Sequence, residues 1–416
     1  MRYLLTTALL LLFTVIAAAA DIKIDADYPG GNIIVAEIDG DTVRLERDLR
    51  NDTPDFYWSF RIKGAEGRTL NFELTKGANL STRGPAVSSN NGVTWRWLSD
   101  ETGFPATKFQ YVFGADEKEV LFSAVMNYTA RDLNRFLEKY KDNVNLKIET
   151  LCQSKKGRKV ELLRIPGKGN DADFKAFFTV RHHAREMSAS YTLEGILETV
   201  LSDSDDGKWL REHCDFFIVP FVDKDGVEDG DSGKNRKPHD HNRDYIQKIY
   251  PEVRAITEQV PLWQNGKPLF SLDLHGPGLR AQPSGNQPEN NTTESIYFTG
   301  PPLDDPVMKE NWEKVQRFCK ILEKEKKGPI PYKESFNLPF GAGWNTAGNV
   351  KPGMLQSKIW AIKTFPDHAF VSTIEIPYAN ASGVVVDADA LRFLGRDLAH
   401  AMRIHLETHK KETQKK

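Results

Sequence analysis

The chain has little of several features that mark whole classes of protein. Only three of its 416 residues are cysteines, and no two of them form a CxxC pair. This excludes a disulfide-dense scaffold and gives no support for a zinc site built from cysteines. The formal net charge is −2, so we expect neither nucleic acid nor an acidic membrane surface as a partner. The remaining composition, with 39% hydrophobic and 27% charged residues, is that of an ordinary globular protein.

Apolar runs long enough to cross a bilayer are absent after the first twenty residues. Residues 4–20 are almost wholly apolar, Arg2 precedes them, and Ala18–Ala20 fits a small-residue cleavage site before Asp21. This pattern is typical of a secretory signal peptide, and an uncleaved membrane anchor is the alternative. We therefore predict a signal peptide over residues 1–20 and a secreted or periplasmic protein that has no membrane association after cleavage.

The three cysteines are Cys152, Cys214 and Cys319. An odd count allows at most one internal disulfide and leaves at least one thiol unpaired. We expect structural roles for all three, and the sequence does not assign a pairing.

Two regions differ in their hydrophobic pattern. Residues 21–130 contain short stretches of alternating polarity, such as 56–62 and 69–74, separated by Gly, Asn and Asp turns. Such stretches are typical of a β-sandwich. From residue 131 onward, strands alternate with helical segments, and strands such as 215–221 are apolar on both faces, as expected beneath two helical layers.

These patterns predict the domain organisation. We expect an N-terminal all-β sandwich domain over residues 21–130 and an α/β domain over residues 131–410. The second domain should contain a mixed sheet in α/β/α layers. A charged tail, residues 411–416, should follow.

A set of possible metal ligands lies at predicted strand ends. His183 and Glu186 are three residues apart in the turn after a strand, and His275 follows the apolar strand 269–274. Zinc in hydrolytic sites favours imidazoles and a carboxylate with one position left open. HxxE alone is a weak signal, but the ends of neighbouring strands meet at one edge of an α/β sheet. The sequence therefore predicts that these three residues converge.

Two further segments carry polar groups that suit substrate binding or catalysis. The loop 234–243 contains two arginines, and an arginine guanidinium suits bidentate binding of a carboxylate. The apolar strand 371–378 carries one acidic residue, Glu375. A carboxylate in such a strand is costly unless it is partnered or functional.

These features, in this order, resemble the zinc carboxypeptidase family. The resemblance is strongest to its cytosolic branch, which includes tubulin deglutamylases and has a β-sandwich ahead of the catalytic domain. Residues 56–61, 122–133 and 273–276 are similar to stretches of that branch. The family's Asn and Pro in one turn are replaced here by Asp223 and Lys224. The resemblance covers nearly all of the mature chain and implies a zinc carboxypeptidase domain behind the sandwich.

The resemblance also implies a role for each candidate site residue. Zn²⁺ would be held by His183, Glu186 and His275, and Glu375 would be the general base. The remaining roles concern the substrate and the ligand geometry: an oxyanion-stabilising Arg236, a carboxylate-binding pair Asn242 and Arg243, and an Asp240 that orients the first zinc histidine.

Specificity and function class leave alternatives open. We interpret segment 357–363 as a strand, and it resembles the strand that carries basic pocket residues in the cytosolic branch. Lys358 or Lys363 could then favour acidic C-terminal residues of the substrate. The other interpretation is that both lysines are solvated. The expected substrates are C-termini of peptides or proteins. The alternatives are a related zinc amidohydrolase acting on small N-acyl amino acids, and a non-catalytic binding protein with the same fold.

Overall fold

The computed structural model describes residues 22–50, 55–77, 79–234, 236–280 and 292–414. The predicted signal peptide, residues 1–20, lies outside these ranges. Among the helices in these ranges, none combines the length and the apolar character that a bilayer crossing requires.

The N-terminal region forms two packed β-sheets, as the alternating sequence pattern predicts. A five-stranded sheet has the order β1-β4-β9-β6-β7, and a four-stranded sheet has the order β2-β3-β5-β8. The strands are, in chain order, β1 (Lys23–Asp25), β2 (Ile34–Asp39), β3 (Thr42–Glu46), β4 (Ser59–Lys63), β5 (Thr69–Leu74), β6 (Ala86–Ser88), β7 (Arg96–Trp97), β8 (Lys108–Val112) and β9 (Glu119–Ser123).

Aromatic side chains fill the space between the two sheets. Strand β5 buries every second residue, so Phe72 points inward while its neighbours face solvent. Its ring stacks on Phe109 with a centroid distance of 4.5 Å, and Phe60 stacks on Phe122 at 5.3 Å. The strand aromatics are thus core residues of the sandwich.

A mixed seven-stranded sheet forms the centre of the second region. Its order is β10-β11-β13-β12-β14-β16-β15, and the four strands from β13 to β16 in this order are mutually parallel. The strands are β10 (Lys147–Gln153), β11 (Lys159–Ile165), β12 (Phe174–Val180), β13 (Cys214–Val219), β14 (Leu269–His275), β15 (Tyr297–Phe298) and β16 (Phe370–Glu375), followed by the hairpin β17 (Asn380–Ala381) and β18 (Val384–Val385).

Helices cover both faces of this sheet, which confirms the predicted α/β/α layering. Phe178 and Phe270 face one apolar cluster with helices α2, α6 and α8, while Phe177 and Phe217 face a second cluster with α5 and α7. The helices are α1 (Ala130–Glu138), α2 (Ser188–Leu201), α3 (Asp205–His213), α4 (Lys224–Asp229), α5 (Pro251–Gln264), α6 (Pro306–Glu325), α7 (Ser357–Thr364) and α8 (Ala388–Thr413).

Two local predictions need correction. The segment 357–363 is helix α7, not a strand, because its apolar run, Ile359–Ile362, packs on the sheet as a single helical turn. A short apolar run fits a buried strand and a buried helix equally well. Helix α8 extends to Thr413, three residues into the predicted tail 411–416.

All three cysteines lie in described ranges, and none of them is paired. Cys214 and Cys319 are buried, and Cys152 is partly buried. Burial raises the pKa of Cys152 to about 12, so this thiol is protonated at neutral pH.

Helices α2 and α8 approach each other closely through two glycines. A Cβ atom on Gly195 would lie 1.9 Å from the carbonyl oxygen of Arg392, and one on Gly395 would lie 2.1 Å from that of Thr192. The two backbones therefore touch where these glycines lie.

Replacement of Gly195 by Ala should destabilise the protein. The added methyl group meets backbone, which cannot rotate away, so the helices must separate; such overpacking costs about 1–3 kcal/mol. The free energy of unfolding from urea titration measures this effect. Gly348→Ala is the control, because the nearest atom to its Cβ is 3.7 Å away. Equal stability of the two variants would contradict the prediction.

Candidate metal centre

A strained residue turns the chain at the end of β12. Arg181 has a φ of +62°, a left-handed conformation that costs a non-glycine residue about 1–3 kcal/mol. Its buried guanidinium fixes the turn, donating to the carbonyl oxygens of Ala184 and Tyr128 and to the Ser190 hydroxyl. The turn thereby directs the next residues across the end of the sheet.

The three predicted metal ligands meet at this edge. The Nδ1 atom of His183 lies 2.8 Å from one carboxylate oxygen of Glu186, and the Nδ1 atom of His275 lies 2.8 Å from the other. The two Nδ1 atoms are 3.2 Å apart. All three side chains are buried.

These distances fit a zinc ion. Zinc bonds of about 2.0–2.1 Å in a tetrahedron place neighbouring ligand atoms about 3.3 Å apart. Two imidazole nitrogens that face each other across a buried carboxylate need a cation between them, either a proton or a metal. Two imidazoles and one carboxylate form the donor set of hydrolytic zinc sites, with one position left for water.

A carboxylate lies behind each imidazole. His275 Nε2 is 2.9 Å from Asp273, and His183 Nε2 is 3.5 Å from Asp240. Burial opposes ionisation of Asp273, but His182 and His275 outweigh it and hold the pKa of Asp273 well below its usual range. Asp273 was not identified from the sequence, although it lies two residues before a candidate ligand.

His182 is part of the support and not of the ligand set. Its Nδ1 lies 2.8 Å from Asp273 and its Nε2 lies 2.9 Å from the Tyr245 hydroxyl. His182, Asp273 and His275 could also form a metal group by distance, but Asp273 already bridges the two rings.

Glu375 lies beside the metal group. It ends strand β16 and pairs in register with His275 at the end of β14, so both side chains emerge at the same sheet edge. Burial raises the pKa of Glu375 to about 7, while the positive charges of Lys234 and Arg185 lower it. A carboxyl group with a pKa near neutrality can accept and return a proton at physiological pH.

A small cavity next to Glu375 contains two buried cations. Arg243 donates to the backbone oxygen of Asn242 and to the Asn349 side chain, and no carboxylate in the described ranges lies within ion-pair distance of it. Lys358 donates to the hydroxyl and carbonyl of Thr299. Burial lowers the pKa of Lys358 to about 7. The Asn242 side chain is buried between His275 and the backbone N–H of Ser357.

The structure does not bring Arg236 to this site. Its guanidinium is held by the carboxylates of Asp223 and Asp231, and it lines neither cavity beside Glu375. Lys234, two residues earlier, lines both cavities instead. Within the described part of the chain, no carboxylate oxygen is within ion-pair distance of the Lys234 ammonium.

Lys363 is also away from the site. It is exposed on helix α7, whereas Lys358 on the same helix is buried and faces the small cavity. The two lysines are five residues apart, which places them on different sides of a helix.

Comparison with known proteins agrees with this geometry. Residues 130–293, which contain all three metal ligands, match the sequence profile described as zinc carboxypeptidase, Peptidase_M14. This part of the chain is therefore similar to the zinc carboxypeptidase family.

Curated relatives of the chain include cytosolic carboxypeptidases. Cytosolic carboxypeptidase 2 of Xenopus tropicalis is 33% identical over 296 residues, which cover 62% of this chain and 30% of that protein. Cytosolic carboxypeptidase 3 of Mus musculus is 25% identical over 289 residues, 61% of this chain and 29% of that protein. The matched region thus spans less than a third of either relative.

Solved structures share the fold of the zinc carboxypeptidase domain and the sandwich together. A metallo-carboxypeptidase from Burkholderia cenocepacia superposes with a TM-score of 0.73 at 16% identity, over 94% of this chain and 100% of that one. A metallo-carboxypeptidase from Pseudomonas aeruginosa, in complex with (2-guanidinoethylmercapto)succinic acid, gives 0.71 at 21% identity, over 92% and 99%. These matches confirm the predicted fold class.

Metal analysis should find about one zinc ion per chain. His183→Ala and His275→Ala should lose the metal, because two remaining donors rarely hold zinc in competition with buffer. Elemental analysis after dialysis measures the content. His239→Ala is the control, since that buried histidine is bonded to Asp244 and belongs to neither possible metal group among the described residues. Full zinc occupancy in both ligand variants would contradict the assignment.

Proposed function

We propose that this protein is a zinc-dependent carboxypeptidase that hydrolyses the C-terminal peptide bond of peptides or proteins. The observation that carries the proposal is a small cavity that Glu375 lines together with two of the metal-group histidines and the buried Arg243, which has no carboxylate partner among the described residues. A metal-activated water, a proton acceptor and a carboxylate-binding group would thus lie at one sheet edge.

Bound zinc supplies a water molecule of lowered pKa and polarises the scissile carbonyl. The Glu375 carboxylate is the residue that takes the proton from the attacking water and delivers it to the leaving amine. Its buried position at the metal edge keeps it close to both.

Lys234, and not Arg236, is the cation that faces the reacting carbonyl in this proposal. It lines both cavities beside Glu375, whereas two carboxylates hold Arg236 elsewhere. An ammonium at this place stabilises the negative charge that develops on the carbonyl oxygen, and loss of one such donor typically lowers turnover about 10²–10³-fold.

Arg243 binds the terminal carboxylate of the substrate. Among the described residues its guanidinium has only neutral oxygen partners, which makes its burial costly, and an incoming carboxylate compensates the charge. Asn242 lies beside it and contributes its amide to the same cavity.

The size of the cleft favours a peptide over a small N-acyl amino acid. Beyond Glu375, a cavity of about 590 Å³ opens between the sandwich and the catalytic domain. Its lining includes Glu375 but not Arg243, and it can accept residues that precede the scissile bond. Assays of an N-acyl amino acid beside a tetrapeptide would separate the two activities.

Glu375→Gln should lower kcat by about 10²–10⁴-fold, because the amide cannot accept the proton of the attacking water. Zinc content should stay at one per chain. Hydrolysis of a peptide library, followed by mass spectrometry, measures turnover. Glu194→Gln is the control, a buried glutamate bonded to Tyr128 and Arg392 far from the cleft. Turnover of Glu375→Gln equal to that of the control would rule out the general-base role.

We further propose a preference for acidic C-terminal residues. The Lys358 ammonium reaches the small cavity, has only neutral oxygen partners among the described residues, and therefore suits an acidic side chain of the departing residue. A charge-assisted hydrogen bond of this kind contributes about 1.5–3 kcal/mol.

The preference should depend on pH. Lys358 has a pKa lowered by burial to about 7, so the ammonium is present below that pH and is lost above it. The ratio of kcat/KM for Glu-terminal over Gln-terminal peptides should be about 10–100-fold at about pH 6 and should fall by about pH 8.5. Lys358→Met should abolish it. The exposed Lys363→Met is the matched control, and fastest cleavage of Phe or Arg ends would refute the preference.

A further inference from the structure

The loop before β4 carries an acidic side chain from the sandwich into the catalytic domain. One oxygen of Asp55 accepts a hydrogen bond from the Ser232 hydroxyl at 2.6 Å and lies 2.9 Å from Nε of Arg185. The other oxygen accepts the backbone N–H of Phe56 at 2.8 Å. The carboxylate is mostly buried, with 14% of the side chain exposed.

Both partners of Asp55 belong to segments that present cations to the cleft. Arg185 lies between two zinc-binding positions of the chain, and its guanidinium is 3.9 Å from the Glu186 carboxylate. Ser232 precedes Lys234 by two residues. The two segments also contact each other directly, since the backbone N–H of Arg185 donates to the carbonyl oxygen of Ser232 at 3.1 Å.

Charge balance explains why a carboxylate is needed at this point. Without Asp55, the Arg185 guanidinium would have Glu186 as its nearest anionic partner and would compete with the metal for that carboxylate. The Arg185 guanidinium also packs 4.3 Å from the centre of the Phe56 ring. Two neighbouring residues of the sandwich region, Asp55 and Phe56, thus contact this guanidinium, one through its charge and the other through its ring.

Docking of the sandwich does not depend on Asp55. Elsewhere on the interface, Arg83 donates to Asn380, the Trp97 indole donates to the carbonyl of Val386, and Thr82 donates to Glu294. None of these contacts involves a residue of the metal group. A role for Asp55 in holding the domains together is therefore secondary.

We infer that Asp55 is a positioning residue through which the β-sandwich completes the active site: it draws Arg185 away from Glu186 and anchors the loop that presents Lys234 to the cleft. This inference rests on the proposed carboxypeptidase function. On this inference, the sandwich contributes a residue that positions catalytic groups.

The variant Asp55→Asn tests this, because the amide keeps the shape and loses the charge. We expect one zinc per chain, a denaturation midpoint close to that of the controls, a kcat lowered about 10–10²-fold and a KM changed by less than about threefold. Thr82→Val removes an interdomain hydrogen bond, and Asp25→Asn removes the Asp25–Arg61 ion pair within the sandwich. Ser232→Ala, which keeps the ion pair, should lower kcat by a smaller factor.

A double variant shows whether Asp55 acts through Lys234. If it does, Asp55→Asn combined with Lys234→Met should be no slower than Lys234→Met alone, within about twofold, because effects of coupled residues do not add. Fully multiplicative losses would assign Asp55 a separate role and overturn the proposed path.

Hydrogen exchange gives a readout that needs no substrate. The amide of Arg185 should exchange faster in Asp55→Asn, since the ion pair that holds this residue is lost, and should be unchanged in Thr82→Val and Asp25→Asn. Turnover and exchange in Asp55→Asn equal to those of both controls would overturn the inference. A wild-type protein that binds zinc and cleaves no peptide would refute the proposed function, while the exchange experiment would still decide the role of Asp55.

Discussion

The arrangement of the catalytic edge depends on the Glu186 carboxylate, which lies between two imidazole nitrogens only 3.2 Å apart. Its negative charge, together with a cation bound between the rings, would offset the free-energy cost of burying both histidines. Asp273 is hydrogen-bonded to the His275 ring, Asp240 lies 3.5 Å from the His183 ring, and both rings line the small cavity. Glu375 then meets the metal edge from the neighbouring strand, in a position set by backbone hydrogen bonds.

The cationic side chains around the cleft fall into two groups, those that are paired with a carboxylate of the protein and those that are not. Arg236 is held by two carboxylates and Arg185 by one, so their charges are already compensated. Lys234, Arg243 and Lys358 have no carboxylate within ion-pair distance among the described residues. Charges buried without a counterion are costly, and a negatively charged substrate or transition state provides the missing partner.

The sequence was sufficient for the parts of the site that lie at strand ends. His275 and Glu375 end apolar strands, His183 and Glu186 come shortly after one, and strand ends converge in any α/β sheet. The sequence was insufficient for the loop 234–243. There the resemblance favoured Arg236, but the ion pairs that hold Arg236 outside the cleft can be recognised only in the three-dimensional structure.

Two further features of the site could not be predicted from the residues next to them in the sequence. The segment around Lys358 has an apolar run that fits a strand as well as the helix it forms. Asp55 contacts residues more than 120 positions away in a different domain, and no pattern within its own loop indicates that. The β-sandwich could be predicted from alternation, but its contribution to the cleft could not.

The pairing of β14 with β16 has a consequence for how this site tolerates change. His275 and Glu375 are the last residues of their strands and are direct register partners, so the ladder sets the distance from ligand to base. Side chains alternate between faces, and a single inserted residue in either strand would turn one of these groups toward the opposite helical layer. Length variation can accumulate in the surrounding loops, whereas these two strands must keep their residue count.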